Sequence, residues 1–127
     1  MKKLYLLLTF SIAVISADAQ KQSKIEKILN SKQKWTVLDV RSKTPYFEIG
    51  EYFTIRIDGK FYHDRNNYAK MGGNWTLHKN QLILTYDSFT EERRRVPYVY
   101  KIKKWGQTGF VLKYRNKFNK KETVYLK

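Results

Sequence analysis

The chain has no cysteine, so disulfide frameworks, thiol nucleophiles, thiolate metal sites and lipoprotein acylation at a cysteine are excluded. Histidine is nearly absent as well, with His63 and His78 the only two. No glycine-rich phosphate loop or metalloprotease helix motif occurs, and none of Ser23, Ser31, Ser42 and Ser88 lies in a nucleophile elbow. With so little catalytic material, no enzyme activity, cofactor or metal is expected. The longest apolar run, residues 4–15, has 12 residues, short of the roughly 20 that span a bilayer as a helix. Acidic residues are scarce, 11 against 26 Lys and Arg, which gives the 127-residue chain a formal charge of +15. It contains no low-complexity stretch, internal repeat or interdomain linker.

What the N-terminus does carry is Lys2 and Lys3, that apolar run, and the small-residue triplet Ala17, Asp18 and Ala19. This is the layout of a secretory signal peptide. The expected leader is residues 1–19, and the expected mature domain, residues 20–127, is periplasmic or secreted with no transmembrane segment. Loss of Lys2, Lys3 and Asp18 takes the formal charge from +15 to +14. A mature chain of this length makes one domain, since about 100–150 residues is the usual size of a single core.

Within residues 23–32, Ile25, Ile28 and Leu29 recur at spacings of three and four, which predicts a short amphipathic helix. From Lys34 onward the period becomes two, with turn signals every 8 to 12 residues, the pattern of an antiparallel all-β domain. Register follows from asking which pairing keeps apolar residues on one face. With Gly59 in the left-handed position, a three-residue loop pairs Ile55 with Phe61 and Phe53 with His63. A turn at Lys79 and Asn80 sets Leu77 opposite Leu82 and Trp75 opposite Leu84. A turn around Trp105, Gly106 and Gln107 sets Ile102 opposite Phe110, Tyr100 opposite Leu112 and Tyr98 opposite Tyr114. Across the longer links, Tyr86 falls opposite Val96 and Tyr114 opposite Val124. In the first strand, residues 35–41, Leu38 and Val40 lie on the face opposite Trp35 and Val37, which calls for a bulge or for cover by the helix.

Eight meandering strands with one apolar face bury that face most simply by closing into an up-and-down antiparallel barrel, which also removes the sheet edges; a sandwich is the alternative. The gain from burying large side chains, about 1.5–3 kcal/mol each, must offset roughly 1–2 kcal/mol of backbone entropy per ordered residue. Most of the interior is therefore expected to be packed.

The helix, the Trp at the start of the first strand and the eight-strand meander resemble the lipocalin-like family of calycin barrels, in particular small exported bacterial lipocalin-like domains. The resemblance rests on Lys34-Trp35-Thr36-Val37, on Arg56-Ile57-Asp58-Gly59-Lys60-Phe61, and on Gly73-Asn74-Trp75-Thr76-Leu77 running on to Asn80-Gln81-Leu82-Ile83-Leu84. Gln33 stands where the family usually has a glycine before the tryptophan. The resemblance implies an eight-stranded barrel that binds small hydrophobic or amphipathic molecules.

Alternate loops of a meander share one end of the barrel. The long links, residues 42–50, 65–73, 89–93 and 116–121, make a mouth, and the tight turns with the helix make a floor. The expected ligand site gathers Phe53, His63, Trp75, Tyr86, Tyr98, Tyr100 and Tyr114 inside, with Arg41 and Arg94 among the arginines (Arg65, Arg93, Arg95) that could meet an acidic head group. A hydrogen-bonded structural role is the alternative for His63, and mutual or water contacts are the alternative for the tyrosines. Asp39, Glu48 and Glu51 form either a carboxylate group or surface ion pairs. Two functions follow as expectations. One is binding of a small amphipathic, acidic ligand in the mouth. The other is a non-enzymatic interaction module with a filled barrel, whose basic surface and loops contact an anionic envelope lipid or glycan or a protein partner. Nucleic acid is not an expected partner of an exported chain.

Overall fold

The computed structural model describes residues 19–66, 70–87, 97–116 and 119–127. Helix α1, residues 19–29, is followed by β1 (Trp35–Arg41), β2 (Tyr52–Ile55), β3 (Lys60–Asp64), β4 (Lys70–His78), β5 (Gln81–Tyr86), β6 (Pro97–Gly106), β7 (Gly109–Arg115) and β8 (Lys121–Leu126). Each strand pairs antiparallel with the next, and β8 returns to β1, closing the barrel. The architecture is the expected one, an eight-stranded up-and-down barrel with a short N-terminal helix. No helix among the described residues is long and apolar enough to cross a membrane.

The registers across the β2–β3 and β4–β5 turns are those expected. Ile55 faces Phe61 and Phe53 faces His63 across a turn in which Gly59 takes φ 83°, a left-handed conformation that a side chain would strain. Leu77 faces Leu82 and Trp75 faces Leu84. In β1 the expected bulge is present, with the register shifting between Val37 and Asp39 and Leu38 turned outward.

Two pairings differ from expectation, each by two residues. Gly106 pairs with Gly109 across Gln107 and Thr108, so the β6–β7 turn is tighter and later than one centred on Gly106, and a one-residue bulge between Ile102 and Lys104 reduces the shift to two. Ile102 therefore faces Leu112 and Phe110 faces Trp105. The Lys101–Lys113 pairing rules out Tyr98 opposite Tyr114; it is the Tyr100 ring that lies 4.7 Å from that of Tyr114. At the β7–β8 link, Asn119 takes φ 57° and the Asn116 N–H donates to Lys120 O at 2.9 Å. That short link places Glu122 rather than Val124 opposite Tyr114, and Val124 opposite Leu112. Val96, expected opposite Tyr86, lies outside the described residues.

The core runs the length of the barrel. Among the described residues, every one expected inward is buried except Tyr98, which is half-buried. At the closed end Ile25 and Leu29 of α1 cover the interior. Gln22 ties the helix to the β4–β5 turn, donating to Leu77 O at 2.9 Å and accepting from the Lys79 N–H. Trp35 packs edge-on to Phe110 at 4.8 Å and donates its indole N–H to Leu29 O at 2.8 Å. Gly73 in β4 is required by packing, because a Cβ there would sit 2.0 Å from Thr85 O and 2.9 Å from the Phe61 ring.

Candidate functional site

The ends of β1, β3, β5 and β7 gather at the other end, the expected mouth. Its centre is Phe47, carried by the 42–50 segment and buried to 3% against the rings of Phe53, His63, Tyr100 and Tyr114. Phe47 is the one core side chain among the described residues that comes from a loop. Beneath it an interior gap is apolar, lined by Phe47, Phe53, Leu84, Tyr100, Leu112 and Val124 among others, with a volume of about 10 Å³. That is space for roughly one water molecule.

Two buried carboxylates hold the segment down. Glu51 and His63 are 1% and 0% exposed. His63 Nε2 lies 3.0 Å from Glu51 Oε1, and its Nδ1 lies 3.0 Å from the Tyr86 hydroxyl. An ionised carboxylate only accepts, which places an imidazole proton on Nε2; in the neutral ring Nδ1 then accepts from Tyr86. Arg65 donates from Nε to the same Glu51 oxygen at 2.8 Å, and from its two Nη atoms to the Tyr46 hydroxyl and carbonyl at 3.0 and 2.9 Å. The other Glu51 oxygen accepts the Glu48 N–H. Burial alone would raise the Glu51 pKa, but the hydrogen bonds from His63, the Glu48 N–H and Arg65 outweigh it and hold the carboxyl below its ordinary value. On the far side Glu122 accepts from the Tyr46 N–H at 2.6 Å and from the Tyr114 hydroxyl, while Asn116 donates to Thr44 O at 2.8 Å. Burial, and then the bond to Glu122, raises the Tyr114 pKa well above the ordinary phenol value. Tyr100, fully enclosed beside Tyr86 and Tyr114, is raised likewise.

The expected site residues thus divide. Phe53, His63, Tyr86, Tyr100 and Tyr114 do come together, with Tyr98 at their edge, its ring 5.5 Å from that of Tyr86. Trp75 does not join them: β4 begins at Lys70, earlier than expected, so Trp75 lies at the closed end. There its backbone N–H donates to Gly59 O and its indole to Arg56 O at 2.7 Å. Arg41 lies outside the barrel, 3.5 Å from Asp39 and over the Tyr125 ring. Arg93, Arg94 and Arg95 lie outside the described residues, and Arg65 is committed to Glu51 and Tyr46. Of the three carboxylates, Asp39 forms a surface pair, Glu48 is exposed and Glu51 is buried. Tyr46, Phe47, Asn116 and Glu122 were not expected in the site. For Glu122 a signal existed, since it has the same parity as Val124 and Leu126; for the loop residues there was none.

The Tyr86–His63–Glu51 chain can pass a proton, but it is sealed under Phe47. Among the described residues, the only buried side-chain polar atom lacking a partner is Asn30 Oδ1, and no three His, Asp or Glu side chains meet to hold a metal. The polar groups at the mouth therefore satisfy one another. No protein-family model, curated protein or solved structure matches the chain.

Proposed function

We propose that the protein is an exported, non-catalytic interaction module: a filled barrel of lipocalin-like type that works from its outer surface, presenting positive charge to an acidic partner. The observation that carries this reading is the interior. A gap of about 10 Å³ accepts no alkyl chain, whereas small-molecule sites measure roughly 300–1,000 Å³. The partnered mouth adds to it, because a ligand head group would have to break bonds already made to Glu51, Glu122, Tyr86 and Tyr114. The excess of basic residues supports an acidic partner.

Carriage of an amphipathic acid is the second reading. It is favoured by the apolar lining of the gap and by the loop origin of its cap, Phe47. Titration with a long-chain fatty acid and its neutral alcohol, followed by tryptophan fluorescence and native mass spectrometry, separates the two. The module reading expects no saturable change with either ligand; one-to-one uptake by the unaltered protein would overturn it and restore the carrier. Export is tested by intact mass, which should show secreted chains beginning at Gln20, and a chain retaining Met1 would refute cleavage.

A further inference from the structure

The two β-bulges among the described strand pairings end the same cross-strand row. On the outer wall Lys104 pairs with Val111, Val111 with Tyr125, and Tyr125 with Asp39. The β6 bulge brings Lys103 and Lys104 outward together at one end of this row. At the other end the β1 bulge turns Leu38 out beside Asp39, leaving Leu38 50% exposed. Bulges re-aim side chains and concentrate next to working sites. A regular β1 would alternate and would not present Leu38 and Asp39 on the same face.

The neighbouring row is Lys101–Lys113–Thr123–Arg41. Two lysines face each other directly there, an arrangement that costs stability when nothing neutralises it. The Lys103 ammonium is held below its ordinary pKa by Lys101 and then Lys113. Among the described residues none of these lysines makes an ion pair; the only carboxylate at hand is Asp39, 3.5 Å from Arg41. Between the rows lies a depression of about 400 Å³, and a second of about 430 Å³ adjoins it on the side of the β6–β7 turn; the two share Lys104, Val111 and Tyr125, and the second extends to Trp105 and Leu38.

We infer that this trough across β6, β7, β8 and β1 docks an acidic, amphipathic peptide segment of a protein partner. The inference rests on the module reading and deepens it. In an extended chain alternate side chains point to opposite sides. A segment lying in the trough sets apolar side chains against Val111, Tyr125 and Leu38, and carboxylates against Lys101, Lys113 and Arg41. Four strands at about 4.8 Å spacing give it a length of four or five residues. A closed barrel offers no edge for strand addition, so recognition must be through side chains. A flat membrane would rest on the lysines and leave the floor unfilled, and a second copy would oppose like charges.

The test uses a fluorescent octapeptide of alternating Glu and Leu, its Gln-for-Glu counterpart, an all-Glu octamer, and vesicles of equal phosphatidylglycerol and phosphatidylcholine. The Glu–Leu peptide should bind, and each of the other two peptides should bind at least about tenfold more weakly. K103E with K113E should cost at least about tenfold in affinity while leaving the melting temperature unchanged or higher, because like-charge repulsion is relieved. K60E with K70E, the same charge change across the barrel, should leave affinity within about twofold. Equal weakening by both pairs, binding to vesicles alone, or no binding of the Glu–Leu peptide overturns the peptide site; none of these touches the filled-barrel reading, which is tested separately by fatty-acid uptake.

Discussion

The two ends of the barrel are closed by different physics. At the floor, Ile25, Leu29, Trp35, Phe110 and Leu126 seal the interior by apolar contact, with the Trp35–Leu29 hydrogen bond fixing the helix. At the mouth, Glu51, His63, Asn116 and Glu122 are as deeply buried as the core; Glu51 and Glu122 hold a loop by charge-assisted bonds from its backbone N–H groups, and Asn116 adds a bond to its Thr44 carbonyl. An apolar closure yields gradually, since a volume-conserving change costs little. A polar closure fails as a unit, because removing one partner leaves the rest buried and unsatisfied.

The sharpest break at the floor is Trp35→Ala, expected to cost about 3–5 kcal/mol by urea unfolding through lost burial and the cavity left behind. At the mouth Glu51→Ala, which leaves Arg65 and His63 without their carboxylate, should cost about 3 kcal/mol. It should also carry a pH signature. The Glu51 pKa is lower folded than its ordinary 4.5, so its contribution is complete above pH 4.5 and is lost as pH falls through the folded value. Wild-type unfolding midpoints should decline through that window more steeply than those of Glu51→Ala; equal slopes would remove Glu51 from the latch. Tyr114→Phe, which deletes one donor to Glu122, should cost about 1–3 kcal/mol. Leu126→Met at the floor should stay under about 1.5 kcal/mol. A larger loss for Leu126→Met than for Tyr114→Phe would invert the comparison. Leu38→Ser on the outer wall should change stability by no more than about 0.5 kcal/mol.

The same contrast explains what could be read in the sequence. The floor is made of strand alternation and helix periodicity, both local, so Trp35, Leu77, Leu82, Phe110 and Leu126 were recognisable as inward. Gly59 fixed one register through its positive φ. The β6–β7 and β7–β8 pairings were misjudged because a later turn at Gln107 and Thr108, offset by one residue at the Lys103 bulge, and a short turn at Asn116 each leave the pairing shifted by two, which keeps Tyr100, Ile102, Leu112, Tyr114 and Val124 on the expected face. Alternation reports the face and is blind to a shift of two. At the mouth, Phe47 and Tyr46 sit in an aperiodic segment whose partners lie up to 76 residues away, and no local pattern records such a contact. His63 was legible as inward by its pairing with Phe53, but its bond to Glu51 was not.

The central claim is that the interior is occupied by the protein's own side chains, with Phe47 the last of them. Xenon titration followed by the methyl resonances of Leu84, Leu112 and Val124 tests it most directly, since an apolar cavity of about 150 Å³ takes up xenon where a smaller gap does not. The account predicts no saturable methyl shifts in the wild type and a clear one-site response in Phe47→Ala. Saturable shifts at these methyls in the unaltered protein would contradict it.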